Sequence, residues 1–212
     1  MTVGLIVPFH HYPPDYKDNY RIVFEYFKRQ WRIWGELIDK TYLIDSQHYF
    51  YPGEENYLKG LLKAEVIFTE NFSHGQSLNE AIKRVKEEVV LIVDMDTIIY
   101  SLDHLATVLD YLSTFDIVCS VERPDPGKIS RFTPYFFAAR MKALREMSDL
   151  NFISEPPHDP MYDLTQQLIK NRVSFLEIKD NRSSIRMLKD GTILYDPKPL
   201  LDSGHYHIRN FN

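Results

Sequence analysis

The chain has 212 residues, 44% hydrophobic and 26% charged, which suffices for one core in a single domain. Twenty-five Lys and Arg stand against 30 Asp and Glu, a formal net charge of -5, so no global basic field exists to hold a nucleic acid. The lone Cys119 excludes an internal disulfide or a cysteine zinc cluster. Apolar stretches such as Val89 to Val93 are far short of a membrane span, and Met1 leads into a strand-like segment, so we expect a soluble cytoplasmic protein.

Val3-Gly4-Leu5-Ile6-Val7-Pro8 is a continuous apolar run stopped by proline, the pattern of a strand covered on both faces. From Asn19 to Trp34, Ile22, Val23, Tyr26, Phe27 and Trp31 recur at helical spacing between charged residues, predicting an amphipathic helix. Strands are expected at Thr41 to Ile44 and Ala64 to Phe68, separated by a Pro52-Gly53 turn signal. A helix from Ser77 to Glu87 precedes the most apolar strand, Glu88 to Val93. The next helix, with Ser101 or Asp103 as its cap, carries Leu105, Val108, Leu109 and Leu112 and leads to a strand at Asp116 to Val121. This alternation predicts an α/β fold with a mostly parallel sheet and helices on both faces.

Glu122 to Pro134 holds three prolines, a glycine and three basic residues, the composition of a mobile loop, and its Arg123 to Arg131 part suits a lid over phosphate. Beyond it we expect a strand at Tyr135 to Ala139, helices at Met141 to Met147 and near Pro160 to Asn171, and a strand at Val173 to Ile178. No repeat or linker marks a domain boundary.

Asp94 and Asp96 follow the apolar run Leu91-Ile92-Val93 directly, where open α/β sheets bind ligands at the carboxyl ends of their strands. In extended backbone the two carboxylates point to one side and can share a divalent cation, although an acidic pair also serves simply to end a strand and cap a helix. Together with its surroundings this stretch resembles the Asp-x-Asp motif of GT-A nucleotide-sugar glycosyltransferases, particularly family 2-like members. The run ending at Pro8 resembles that family's first strand, Thr41-Tyr42-Leu43-Ile44-Asp45-Ser46 its second, and Gly75-Gln76-Ser77-Leu78-Asn79-Glu80-Ala81 the helix opening before the motif.

The resemblance implies one GT-A domain over 1–212, with 1–121 binding the donor and 122–212 serving acceptor and catalysis. It implies a UDP- or GDP-sugar donor lying by Pro8, with Asp45 near the base, Asn79 near the nucleotide, Asp94 near ribose or sugar and Asp96 on Mn²⁺ or Mg²⁺. A saccharide, lipid or protein supplies the acceptor hydroxyl. The chemistry agrees, because carboxylate oxygens suit such cations and a cation offsets charge on a diphosphate leaving group.

His205-Tyr206-His207 puts two imidazoles on one side of an extended chain, and the segment resembles the C-terminal metal ligand of the family, with His207 preferred over His205. Arg209 is a candidate for the diphosphate. The family's inverting members carry a general base at the start of a helix. Here Asp163 and Asp159 are both candidates, with Glu155 nearby, and both aspartates also fit helix caps.

Val93-Asp94-Met95-Asp96-Thr97 also resembles motif one of haloacid-dehalogenase-like phosphatases, a rival class. That motif expects a glycine where Thr97 stands and a position on the first strand of the core. A GT-A module that binds nucleotide sugar or glycan without turnover is a second alternative. A sugar-phosphate nucleotidyltransferase would carry a Gly- and Arg-rich loop where His10-His11-Tyr12-Pro13-Pro14 stands.

Overall fold

The computed structural model describes residues 1–9, 17–46, 50, 53–69, 72–95, 97–99, 102–122, 131–153, 161–178, 185–187, 193–195 and 205–207. The first half alternates β1 (Val3–Phe9), α1 (Lys17–Trp34), β2 (Lys40–Asp45), α2 (Glu54–Leu62), β3 (Ala64–Phe68), α3 (His74–Arg84) and β4 (Val89–Val93). β5 (Thr97–Ile99), α4 (Leu102–Tyr111), β6 (Ile117–Glu122), β7 (Arg131–Arg140), α5 (Met141–Arg145), α6 (Met161–Lys170) and β8 (Phe175–Ile178) follow. Three short strands, β9 (Ile185–Met187), β10 (Ile193–Tyr195) and β11 (His205–His207), come last.

Seven strands form one sheet in the order β3-β2-β1-β4-β7-β6-β8. β7 runs antiparallel to both β4 and β6, while the other pairings are parallel. The strand from the second half thus enters the middle of the sheet, and the mostly parallel α/β expectation holds.

The continuous apolar runs of β1 and β4 are explained by cover on both faces. Val3, Leu5, Val7 and Phe9 of β1, with Val89, Leu91 and Val93 of β4, pack with Phe24, Phe27 and Trp31 of α1, Leu58 and Leu62 of α2, and Leu105 and Val108 of α4. Ile6, Val90 and Ile92 face the other way, toward Leu78, Ala81 and Ile82 of α3 and Met161, Leu164 and Leu168 of α6. Each of these large apolar side chains contributes about 1.5–3 kcal/mol by leaving water.

Several local expectations are corrected. β1 continues through Pro8 to Phe9. Pro8 is tolerated because pairing with β4 ends at Ile6, and beyond it β1 has register with β2 alone. Between β2 and β3 stands α2, a helix absent from the sequence reading, which Gly53 opens at φ 86. α3 starts at His74 rather than Ser77, since Ser73 and Gln76 form a reciprocal capping box, and it ends at Arg84 rather than Glu87. Arg131 to Pro134 belong to β7 and not to the loop. Pro134 falls where the β6–β7 register shifts, so its missing N–H interrupts no regular ladder. The lid residues 123–130 lie outside the described residues, as do His10, His11 and Glu155.

Candidate active site at the carboxyl edge of the sheet

The carboxyl ends of β1, β2 and β4 make one edge, on which Pro8, Asp45 and Asp94 lie. Phe9 ends β1 opposite Asp45, which ends β2. Asp45 is 1% exposed, and its Oδ2 accepts the Phe50 N–H at 3.2 Å. Its carbonyl accepts Thr69 N–H at 3.1 Å, and Ser46 Oγ donates to the Phe9 carbonyl at 2.9 Å. Asp45 therefore pins the chain leaving β2, a reason for a buried carboxylate that stands apart from any ligand.

Asp94 leaves β4 half-buried, and its carbonyl accepts Thr97 N–H at 2.9 Å, closing a turn that returns the chain into β5. Met95 within the turn is 4% exposed, which fixes the turn against the core. α1 anchors β5 further, as Gln30 Oε1 accepts Ile99 N–H at 2.7 Å. β11 lies antiparallel to β5, with His205 opposite Ile99 and His207 opposite Thr97. The C-terminal histidine segment thus runs beside the exit of the Asp94-Met95-Asp96 stretch. Asp96, Asp159 and Arg209 lie outside the described residues, and His205 and His207 are described by their backbone pairing.

α6 brings Asp163 to the same edge. Val93, the end of β4, pairs with Phe136 of the antiparallel β7, so Phe132 stands about 13 Å further along, past the end of β4. The Phe132 N–H donates to Thr165 Oγ1 at 2.9 Å, and that hydroxyl donates to the Met161 carbonyl at 2.6 Å. The first turn of α6, with half-buried Asp163, is thereby docked beyond the end of β4.

Asn79 lies on α3 with its amide engaged. Nδ2 donates to Asn151 Oδ1 at 2.6 Å, and Oδ1 accepts Phe152 N–H at 2.9 Å. Gly75, one turn earlier, lets this segment approach, for a Cβ there would stand 2.5 Å from the Phe152 carbonyl oxygen. The glycine and asparagine read from the sequence as a nucleotide-side pattern clamp residues 151–153.

His104 of α4 was missed by sequence reading. Its ring centroid is 5.9 Å from that of Phe136, the register partner of Val93. Burial pulls its imidazole below the ordinary value of 6.5, favouring the neutral ring. The signal available was a lone His on the first helix after the acidic pair.

Among the described residues no group of three or more His, Cys, Asp and Glu forms a metal cluster, and no helix is long and apolar enough to cross a membrane.

The comparisons bear on the fold. No protein-family model and no curated protein matches the chain. Solved structures do. A mannosyltransferase from Pyrobaculum calidifontis, in complex with GDP-Man and Mn²⁺, matches 82% of this chain and 54% of its own at 18% identity, TM-score 0.58. S. aureus TarS residues 1–349, in complex with UDP-GlcNAc, matches 100% of this chain and 60% of its own at 16% identity, TM-score 0.60. The 4-diphosphocytidyl-2C-methyl-D-erythritol synthase of Anaerococcus prevotii matches 83% of this chain and 86% of its own at 15% identity, TM-score 0.54. The chain has the GT-A-like fold of nucleotide-diphospho-sugar transferases, and it spans 54% of the mannosyltransferase chain and 60% of TarS residues 1–349.

Proposed function

We propose that the protein is a metal-dependent glycosyltransferase that moves a sugar from a UDP- or GDP-sugar to an acceptor hydroxyl with inversion. The supporting observation is the β11–β5 register, which sets His207 beside the residue that follows Asp96. Carboxylate and imidazole donors together suit Mn²⁺, so Asp96 with His207, or His205 in its stead, fits the cation. When bound, that cation offsets the negative charge that gathers on the diphosphate leaving group.

The chain's own residues do the rest. Asp94 accepts hydrogen bonds from ribose or sugar hydroxyls at the end of β4, and Pro8 walls the donor. Asp45 acts on the base through the Phe50 segment that it holds, Asn79 shapes the nucleotide side through residues 151–153, and Arg209 meets the diphosphate. Asp163, with Asp159 as the other candidate, accepts the proton of the acceptor hydroxyl. The acceptor oxygen bonds to the anomeric carbon, the bond to the diphosphate breaks, and its electron pair leaves with the nucleoside diphosphate. The second half of the single domain selects a saccharide, lipid or protein acceptor.

The likeness to the erythritol synthase favours a second reading, nucleotidyl transfer. The products separate the two. Incubation with UDP- and GDP-sugars, Mn²⁺ and an acceptor panel releases UDP or GDP under the first reading. Pyrophosphate release from a nucleoside triphosphate and a sugar phosphate, without nucleoside diphosphate release, would replace it by the second.

A further inference from the structure

At the opposite edge of the sheet, where β4 and β6 begin, a cavity of about 310 Å³ opens between the end of β7, α5 and the turn after α6. Arg140, which pairs with Val89 at the start of β4, and Arg172 both line it, far from Asp94 at the other end of that strand.

Arg172 is an outlier of backbone. α6 ends in a Schellman turn, with Arg172 N–H donating to the Ile169 carbonyl at 3.0 Å and Val173 N–H to the Leu168 carbonyl at 3.0 Å. The residue in the left-handed position of such a turn is commonly glycine, yet here it is arginine at φ 56. Lys63, the other described non-glycine residue with positive φ, has a compensating contact, since its Nζ donates to the Ile38 carbonyl at 2.7 Å. Arg172 is exposed and Arg140 half-buried, and neither guanidinium has a partner among the described residues. A half-buried guanidinium without a counter-charge is an uncommon arrangement, because such charges ordinarily keep a partner.

The acids of the cavity are engaged. Asp116 Oδ2 accepts the Ser174 hydroxyl at 2.7 Å and its N–H at 3.3 Å, while Glu146 stands 3.9 Å from Lys142 Nζ. With the Lys142 and Glu146 charges cancelling, the lining counts two arginines against one aspartate, a balance that leaves room for a single negative charge. Met147 and Val173 add an apolar wall.

We infer that this cavity is a binding site for a small monocarboxylate, whose oxygens pair with Arg140 and Arg172 while its short apolar chain lies on Met147 and Val173. The planar guanidinium fork matches a carboxylate, and a monoanion matches the charge left over.

The test is a titration of the ¹⁵N-labelled protein with butyrate, followed by NMR, with butanol and inorganic phosphate as comparison probes. Butyrate is expected to shift amides around Arg140 and Arg172 saturably, and butanol to leave them unmoved. Arg140→Gln and Arg172→Gly should each weaken butyrate binding roughly tenfold or more. Arg172→Gly should at the same time raise Tm, since glycine relieves the left-handed backbone, which keeps loss of binding distinct from loss of fold. The inference is overturned by absence of saturable butyrate shifts, by equal shifts from butanol, by phosphate binding there in place of butyrate, or by unchanged binding in Arg172→Gly.

Discussion

His207 lies directly across the β11–β5 ladder from Thr97, and Thr97 N–H donates to the Asp94 carbonyl at 2.9 Å. Residues more than a hundred positions apart are thereby joined at the exit of the apolar strand that carries the acidic pair. His207→Ala is expected to weaken Mn²⁺-dependent nucleotide binding by roughly tenfold, the scale for loss of one metal-side group. His205→Ala, assayed alongside by calorimetry, should be the milder change, and the reverse ranking would transfer the ligand role to His205.

Gly75→Ala should act against its helix propensity. An exposed helical glycine replaced by alanine gains about 1 kcal/mol. Here the added methyl would meet the Phe152 carbonyl oxygen at 2.5 Å and the Ile153 Cα at 2.8 Å, both backbone atoms. A net loss of about 1–3 kcal/mol is expected from overpacking, read from the urea midpoint at constant m. A stabilised variant would mean that residues 151–153 yield freely.

Asn79→Ala removes both hydrogen bonds to that segment and leaves the Phe152 N–H without its acceptor. We expect a loss of about 2 kcal/mol in urea unfolding. Because residues 151–153 lead toward α6 and Asp163, the variant should also show a raised KM for the acceptor.

The lowered pKa of His104 has a sign that can be measured. The native state holds the ring neutral through burial, so its contribution is present above the ordinary value of 6.5 and is lost as pH falls through the depressed native value. Wild-type stability should therefore decline from about pH 6.5 downward more steeply than that of His104→Gln. Parallel urea midpoints for the two proteins across pH 7.5 to 5.5 would exclude this role.

Cys119 is 0% exposed, and burial, with Glu177 adding to it, raises its thiol well above the ordinary value. A thiol reagent should modify it at the rate of unfolding rather than on mixing.

The sheet was legible where local pattern decides it. Val89 to Val93 and Val3 to Val7 are unbroken apolar runs, and their burial on both faces follows from that pattern alone. Ala64 to Phe68 has the bounds expected from the sequence. α2 was missed although Leu58, Leu61 and Leu62 have helical spacing, because the helix is only nine residues long and carries Gly60 in its interior. The start of α3 was misplaced although Ser73 and Gln76 spell a capping box, since Gly75 within the first turn weakens the helical pattern.

The site divides along the same line. Asp45 ends β2, Asp94 follows β4 and Asp163 lies in the first turn of α6, positions legible in the sequence because strand ends and helix starts are locally encoded. The insertion of β7 between β4 and β6, and the return of β11 to β5, depend on pairings distant in sequence that no local pattern carries. The clamp of Asn79 on Asn151 and Phe152 was equally invisible, for it joins an amide side chain to a side chain and a backbone N–H more than seventy positions away.

The central claim is a cation-dependent nucleotide site that needs Asp96, and calorimetric titration with UDP and GDP, each with Mn²⁺ and with chelator, tests it most directly. Saturable binding of one nucleotide is expected, and it should disappear with chelator and in Asp96→Ala while the variant keeps its fold. Binding that survives both changes, or no binding of either nucleotide beside Mg²⁺-dependent phosphate release from a generic phosphoester, would contradict it.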